Sequence, residues 1–268
     1  MRRVAMLLVV MGLAVAPAAA AVPLEYPEGD LWGFPALTDR QGKLLGRGRF
    51  GQRVDARGVH VTVTYDQLNG DKIEEKTLLS TTGGELAQRE WSWQRTSGGQ
   101  VVERYVMDFD AHEGRSLVVR EGKREQHRGK LQVVEGRTFA GIGFVFAVRN
   151  LYPRLVRGER LELEGIAFTP RPRKATVRIS SAGVETVRSG GRSLRAEHIV
   201  VHPQLPKVAE LFVYAPDSHL WFFRARPPEF IRAEMQMQSL GVVRIDSVGG
   251  DGAQAAQAAQ ARPRPPSR

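Results

Sequence analysis

Asp108, Asp110 and His112 fall at every second position. On a strand they would project from one face, and two carboxylates with an imidazole could hold a divalent ion. The competing reading ends the strand's wet face in a turn at Glu113-Gly114, with His112 in solvent, and we adopt it. His198 and His202 stand four apart in AEHIVVH. On a helix that spacing suggests a zinc pair, but Ile199, Val200 and Val201 between them specify a strand, and no HExxH glutamate is present. Four residues of strand separate the two rings by about 13 Å, too far for one ion. Both are read as structural histidines, and no metal is expected. Ser80, Thr81 and Thr82 lead into Gly83-Gly84 as a hairpin turn rather than a GxSxG elbow. Gly141-x-Gly143 lacks the rest of a dinucleotide fingerprint. No catalytic residue and no cofactor is nominated, so a binding or scaffold protein is expected rather than an enzyme.

Two groups could bind without reacting. Trp91, Trp93, Trp221 and Phe223 are aromatics in strand-like segments. They read as core or, if a concave face stays open, as the lining of a site for an acyl chain or another apolar ligand. Between Arg154 and Arg178 seven Arg or Lys stand against Glu159, Glu162 and Glu164, densest at Arg171, Arg173 and Lys174. Pro170 and Pro172 predict an extended loop that presents these three cations, either simply solvated or against an anionic surface. The guanidinium fork suits phosphate headgroups.

The elements that must position these residues follow a two-residue period. Val59, Val61, Val63 and Tyr65 alternate with polar neighbours, as do Trp91 and Trp93, Tyr105, Met107 and Phe109, and Ile231, Ala233, Met235 and Met237. Such alternation puts one face on a core and the other in water, the habit of antiparallel sheet. Asn69-Gly70, Gly83-Gly84, Gly98-Gly99, Gly190-Gly191 and Pro216-Asp217 supply turns between them. About a dozen strands in sequence order predict an all-β fold, a large curved antiparallel meander, barrel-like or half-barrel. A β-sandwich, or two β-subdomains split near residue 135, is the alternative. One segment breaks the pattern. Gly141 to Tyr152 is apolar on every side. It reads as a short buried helix plugging the sheet, with Arg149-Asn150 before Tyr152-Pro153 as its end. Glu210 to Ala215 and His219 to Arg224 read as a hairpin around Pro216-Asp217-Ser218, with Leu220 and Phe222 on one face and Trp221 and Phe223 on the other.

The 268 residues carry 39 basic and 29 acidic side chains, a net charge of +10 and no Cys. The missing Cys rules out disulfides, thiolate nucleophiles and iron–sulfur or Cys-ligated zinc sites. Only seven of the basic residues are Lys, an Arg excess typical of GC-rich genomes. Arg2-Arg3, the apolar run Val4 to Val15 and Ala18-Ala19-Ala20 have the layout of a secretory signal over residues 1–20. Residues 21–41 read as an extended lead-in pinning Trp32 and Phe34, residues 42–248 as one β domain, and residues 249–268 as a disordered tail. A cysteine-free exported chain is expected to be soluble and periplasmic or secreted, in a bacterium. There the anions are envelope lipids, and nucleic acid is not expected as a partner.

From Phe139 to Val248 the stretches FVFAVRNLYP, GERLELEGIAF, LRAEHIVV and LFVYAPDSHLWFFRARPPEFIRAEM resemble a family of exported bacterial β-proteins known only as a domain of unknown function. That resemblance implies a short helix followed by sheet, with a last hairpin returning through a Pro, and brings no catalytic residues. The architecture is more weakly similar to periplasmic lipoprotein carriers, which wrap a half-barrel round acyl chains. The expected function is a periplasmic protein holding an apolar or amphipathic, lipid-like ligand on a curved sheet, its Arg-rich loops facing anionic envelope lipids. The alternative is a structural partner in a cell-envelope assembly with no ligand pocket.

Overall fold

The structure, a computed structural model, describes residues 21–189, 191–204 and 215–247. The expected leader, the tail and residues 210–214 of the last hairpin lie outside them. The alternating segments form sixteen described strands. The first half contains β1 (Leu31–Gly33), β2 (Ala36–Asp39), β3 (Leu44–Asp55), β4 (Gly58–Gln67), β5 (Lys72–Ser80), β6 (Ala87–Ser97), β7 (Gln100–Asp108), β8 (Glu113–Arg120) and β9 (Lys123–Lys130). After β10 (Thr138–Phe139) comes helix α1 (Gly143–Leu155). The chain continues through β11 (Leu161–Phe168), β12 (Pro172–Ser189), β13 (Arg192–Gln204), β14 (Ser218–Phe223), β15 (Glu229–Met237) and β16 (Gly241–Asp246).

All belong to one curved sheet, in the order β10-β11-β12-β13-β14-β15-β16-β2-β3-β4-β5-β6-β7-β8-β9, with β1 beside β3. Pairing is antiparallel except between β10 and β11. Register puts Val61, Val63, Tyr65, Ile73, Glu75, Thr77, Trp91, Trp93, Tyr105 and Met107 on one face, the concave one. The sheet does not close into a barrel. Its two ends overlap instead: Phe168, at the end of β11, stacks on Trp91 and tilts against Tyr105, with ring centroids 5.6 and 5.2 Å apart. Pro172 presses on the inner side of β8, where a Cβ at Gly114 would stand 2.5 Å from the proline ring. The far edge, β9, reads KREQHRGK and is mostly exposed. A row of charges there discourages another strand from adding to the sheet.

The helix forms inside this curve, as its all-round apolarity predicts. Phe146, Ala147, Val148, Leu151, Tyr152 and Leu155 are buried, and α1 packs most closely on β10, β12 and β15. It does not stop before Pro153 but runs on to Leu155. Proline removes only the hydrogen bond that the Arg149 carbonyl would have accepted. Burial of Tyr152 and Leu155 holds the last turn, which is closed by the Val156 N–H on the Tyr152 carbonyl.

The expected lead-in is more tightly integrated than its composition suggests. Val22 is fully buried, and Asn150 of the helix accepts the N–H groups of Glu25 and Tyr26 at 2.8 and 3.0 Å. Residues 31–39 supply β1 and β2. Trp32 and Phe34 are not pinned into the core: they are 51% and 37% exposed and meet edge to face. The reason is that β16 covers β2 only as far as Ala36, so among the described residues β1 pairs with β3 alone.

Candidate functional site

The helix fills one side of the concavity and stands along the other. Its Ile142, Val145 and Arg149 repeat at three and four residues and share a face that is only half-buried. Across from them, Phe50 of β3, Phe230 of β15 and Ile245 of β16 sit on the core side of the sheet but are likewise half-buried. Half-buried apolar side chains thus lie on α1 and on the inner faces of β3, β15 and β16. The seven residue-to-residue rises from Ile142 to Arg149 carry this face along about 10 Å.

Fixed charge stands at both ends of this face of α1. At the N-terminal end of α1, Glu75 points inward from β5. Its Oε1 accepts the Trp91 Nε1–H and the Ile142 N–H, both at 2.7 Å. Burial raises the carboxyl above its ordinary range, and these two hydrogen bonds only partly oppose the shift. The same burial, with the Glu75 charge nearby, pushes the Tyr65 phenol up. Gly141 makes this approach possible: its φ is +50°, and a Cβ there would lie 2.0 Å from Glu75 Oε1. Gln88 locks the same loop by exchanging hydrogen bonds with both backbone groups of Ala140. At the other end Arg149 pairs with the nearly buried Glu28 at 2.5 Å and donates to the Pro228 carbonyl at 3.2 Å. Gln52 holds Glu28 from the β3 side. Nothing in this arrangement resembles a nucleophile with its base. It is a half-buried apolar helix face with an acid at one end and a neutralised Arg at the other.

The sequence-nominated aromatics divide between two faces. Trp91 and Trp93 are buried in the floor of the concavity, Trp91 under Phe168 and Trp93 against Tyr105. Trp221 and Phe223 lie on the opposite, outer face. There Trp221 packs with Val187, Ala196 and Ile231, while Phe223 is 39% exposed. Leu220 and Phe222 face inward, and Phe222 meets Tyr152 of the helix.

The cations do not form an extended loop. β12 begins at Pro172 and pairs back on Phe168, so the segment is a tight hairpin end. Arg171 and Arg173 are exposed, Arg173 donating to Thr169, but Lys174 is tied to Glu164 at 2.8 Å. Asp108, Asp110 and His112 do not converge. The turn falls at residues 109–112, just before Glu113-Gly114. Asp108 accepts the Ala111 N–H, Asp110 pairs with Arg89, and His112 Nδ1 accepts the Val133 N–H. His202 meets Asp217, whereas His198 meets His219, so the two histidines have separate partners.

Sequence reasoning missed Glu75, although a signal was there. In Ile73-Glu75-Thr77-Leu79 a charge occupies an inward phase that otherwise reads apolar or hydroxyl. The Glu28–Arg149 pair joins residues 121 apart and left no local pattern.

No family model matches the chain, and no curated protein matches it. Among solved structures it is similar to a β-barrel-like protein of a domain of unknown function, DUF1849, from Brucella abortus. The identity is 7% and the TM-score 0.47, over 82% of this chain and 96% of that one.

Proposed function

We propose that this is an exported, non-catalytic binding protein that holds the apolar part of a lipid-like amphiphile in the slot between α1 and the β15-β16-β2-β3 wall. One observation supports the reading: Phe50, Val145, Ile142, Phe230 and Ile245 lie on the core side of the sheet and helix yet stay half-buried. Interior apolar surface left open has no structural use and costs about 25 cal/mol for each Å² kept in water, which a ligand chain would recover. Arg171 and Arg173 at the β11–β12 tip are the exposed cations that would meet anionic headgroups, whereas Lys174 is held by Glu164. The leader-like residues 1–20 support an envelope address.

Native mass spectrometry of the protein purified from its own host tests this. A co-purified lipid mass is expected, lost when Val145→Trp fills the slot. An apo mass alone, with no uptake of added lysophospholipid, would overturn it.

A second reading has its own support. Leu31 and Trp32 of β1 and Phe34 just after it are exposed, and among the described residues β1 pairs with β3 alone. Such an edge can take up an apolar strand of an envelope protein. Capture of a protein partner that Trp32→Ser abolishes, together with a lipid-free slot, would favour it over the carrier.

A further inference from the structure

The outer face of β7, β8 and β9 gathers cations without matching acids. Tyr105 and Met107 of β7 point into the concavity, so Arg104 and Val106 point out, and register carries that phase across to β9. Arg104 of β7, Arg115 of β8, and Arg124, Arg128 and Lys130 of β9 lie on this face, all exposed. Two carboxylates share it. Asp108 accepts the Ala111 N–H. Glu113 is buried beneath the cations themselves, with Arg115 at 2.6 Å, Arg128 at 2.7 Å and Lys130 at 3.5 Å. Arg104 stands opposite Leu117 and Arg124 opposite Val119, and neither has an acidic partner among the described residues. Elsewhere on the sheet the ion pairs balance, as in Arg49 with Asp66, Arg232 with Asp246 and Arg244 with Glu234.

We infer that this face docks the protein on an anionic lipid surface, its Arg and Lys side chains meeting lipid phosphates. The inference rests on the envelope address in the proposed function and is independent of the slot. Charge complementarity carries it. Arg115 and Arg128 stand directly opposite each other, and like charges so placed cost a sheet stability. Guarding the edge against another strand needs charge on β9 alone and does not account for Arg115 one strand in or Arg104 two strands in. Arg115 reaches Glu113 through Nε and Arg128 through one Nη, and both side chains stay more than half exposed, so further N–H groups of each fork remain for phosphate oxygens. Glu113 holds the two guanidinium groups side by side, and the cations run about 20 Å along β9 from Arg124 to Lys130. Val106, Leu117 and Val119 are half-buried among them. A headgroup layer takes up both charge and aliphatic surface, whereas a polyanion in water would use the charge alone. Pro172 touches the inner side of β8 at Gly114, so the tip that carries Arg171 and Arg173 lies at the Glu113 end of the same face.

Co-sedimentation of the purified protein with vesicles is the test, comparing phosphatidylglycerol in phosphatidylcholine with phosphatidylcholine alone. Binding to the anionic vesicles only is expected, and it should weaken as salt rises. Each Lys or Arg near such a surface contributes about fivefold. Arg104→Gln combined with Arg124→Gln should therefore weaken binding by at least about 10-fold while the melting temperature holds, because neither change strands an acid. Arg115→Gln combined with Arg128→Gln should weaken it as much; if that protein does not fold, the first pair decides. Parent-like binding by the folded variants, equal binding to neutral vesicles, or binding of polyphosphate with none to vesicles would overturn the inference. A lipid mass in native spectra without vesicle binding would overturn it and leave the slot reading standing. Vesicle binding that these substitutions weaken, in a protein whose slot is empty, would do the reverse.

Discussion

Glu75 shows how one residue can break the pattern that makes its strand. Its neighbours Ile73 and Leu79 are fully buried, and the alternation that exposes Lys72 and Lys76 turns Glu75 inward with them. Because burial raises its folded pKa, the sign of its pH effect is set. Any stability linked to the proton is complete below the ordinary value of 4.5 and is lost as pH rises through the folded value. Glu75→Gln keeps an oxygen for Trp91 and Ile142 but cannot ionise. It should melt with the parent at pH 4 and above it at pH 8, by calorimetry; an equal gap at both values would refute the assignment. Asn150→Ala is expected to act in the opposite direction. It strands the N–H groups of Glu25 and Tyr26 and should cost about 2–5 kcal/mol in denaturant unfolding. A loss under about 1 kcal/mol would mean that the lead-in is not anchored there. Glu75 left a local trace, a charge in the inward phase of its strand, whereas the partners of Asn150 are 124 and 125 residues away and no local spacing records them.

At the scale of elements the legibility is uneven. Strands such as β4 and β6 could be read directly, because inward Val61, Val63 and Tyr65, or Trp91 and Trp93, alternate with outward polar groups. The helix was legible because a segment apolar all round needs walls on all sides, although its end was set by burial rather than by Pro153. What composition concealed was the overlap of the sheet's two ends, which rests on shape. Gly114 leaves room for Pro172, and Phe168 covers Trp91 and Tyr105. Gly114→Val should therefore force the β11–β12 tip outward. The expected cost is about 1–3 kcal/mol of overpacking, with faster amide exchange in β11 and at the start of β12. Unchanged exchange there would show that the tip does not depend on this fit.

The whole molecule joins many charged residues to a core that uses no disulfide. Its ion-paired carboxylates set its acid limit. Asp55, held by the Arg57 N–H and His60, and Glu113, held by Arg128 and Arg115, are both brought down to about 2. Stability from depressed carboxylates is present above their unfolded values and disappears as pH falls through the folded ones. The melting temperature should thus decline between about pH 4.5 and 2, and a flat profile across that window would contradict these pairings.

At this scale the curved sheet was legible from its alternation, and the open side of its interior was not, because that depends on which wall the helix leans against. The slot proposed between α1 and the β15-β16-β2-β3 wall is the feature on which the functional reading stands. It is tested most directly by a crystal structure with a brominated lysophospholipid. An anomalous bromine peak between Val145 and Phe50 is expected. Bromine on the outer face, or none bound at saturating ligand, would contradict the account.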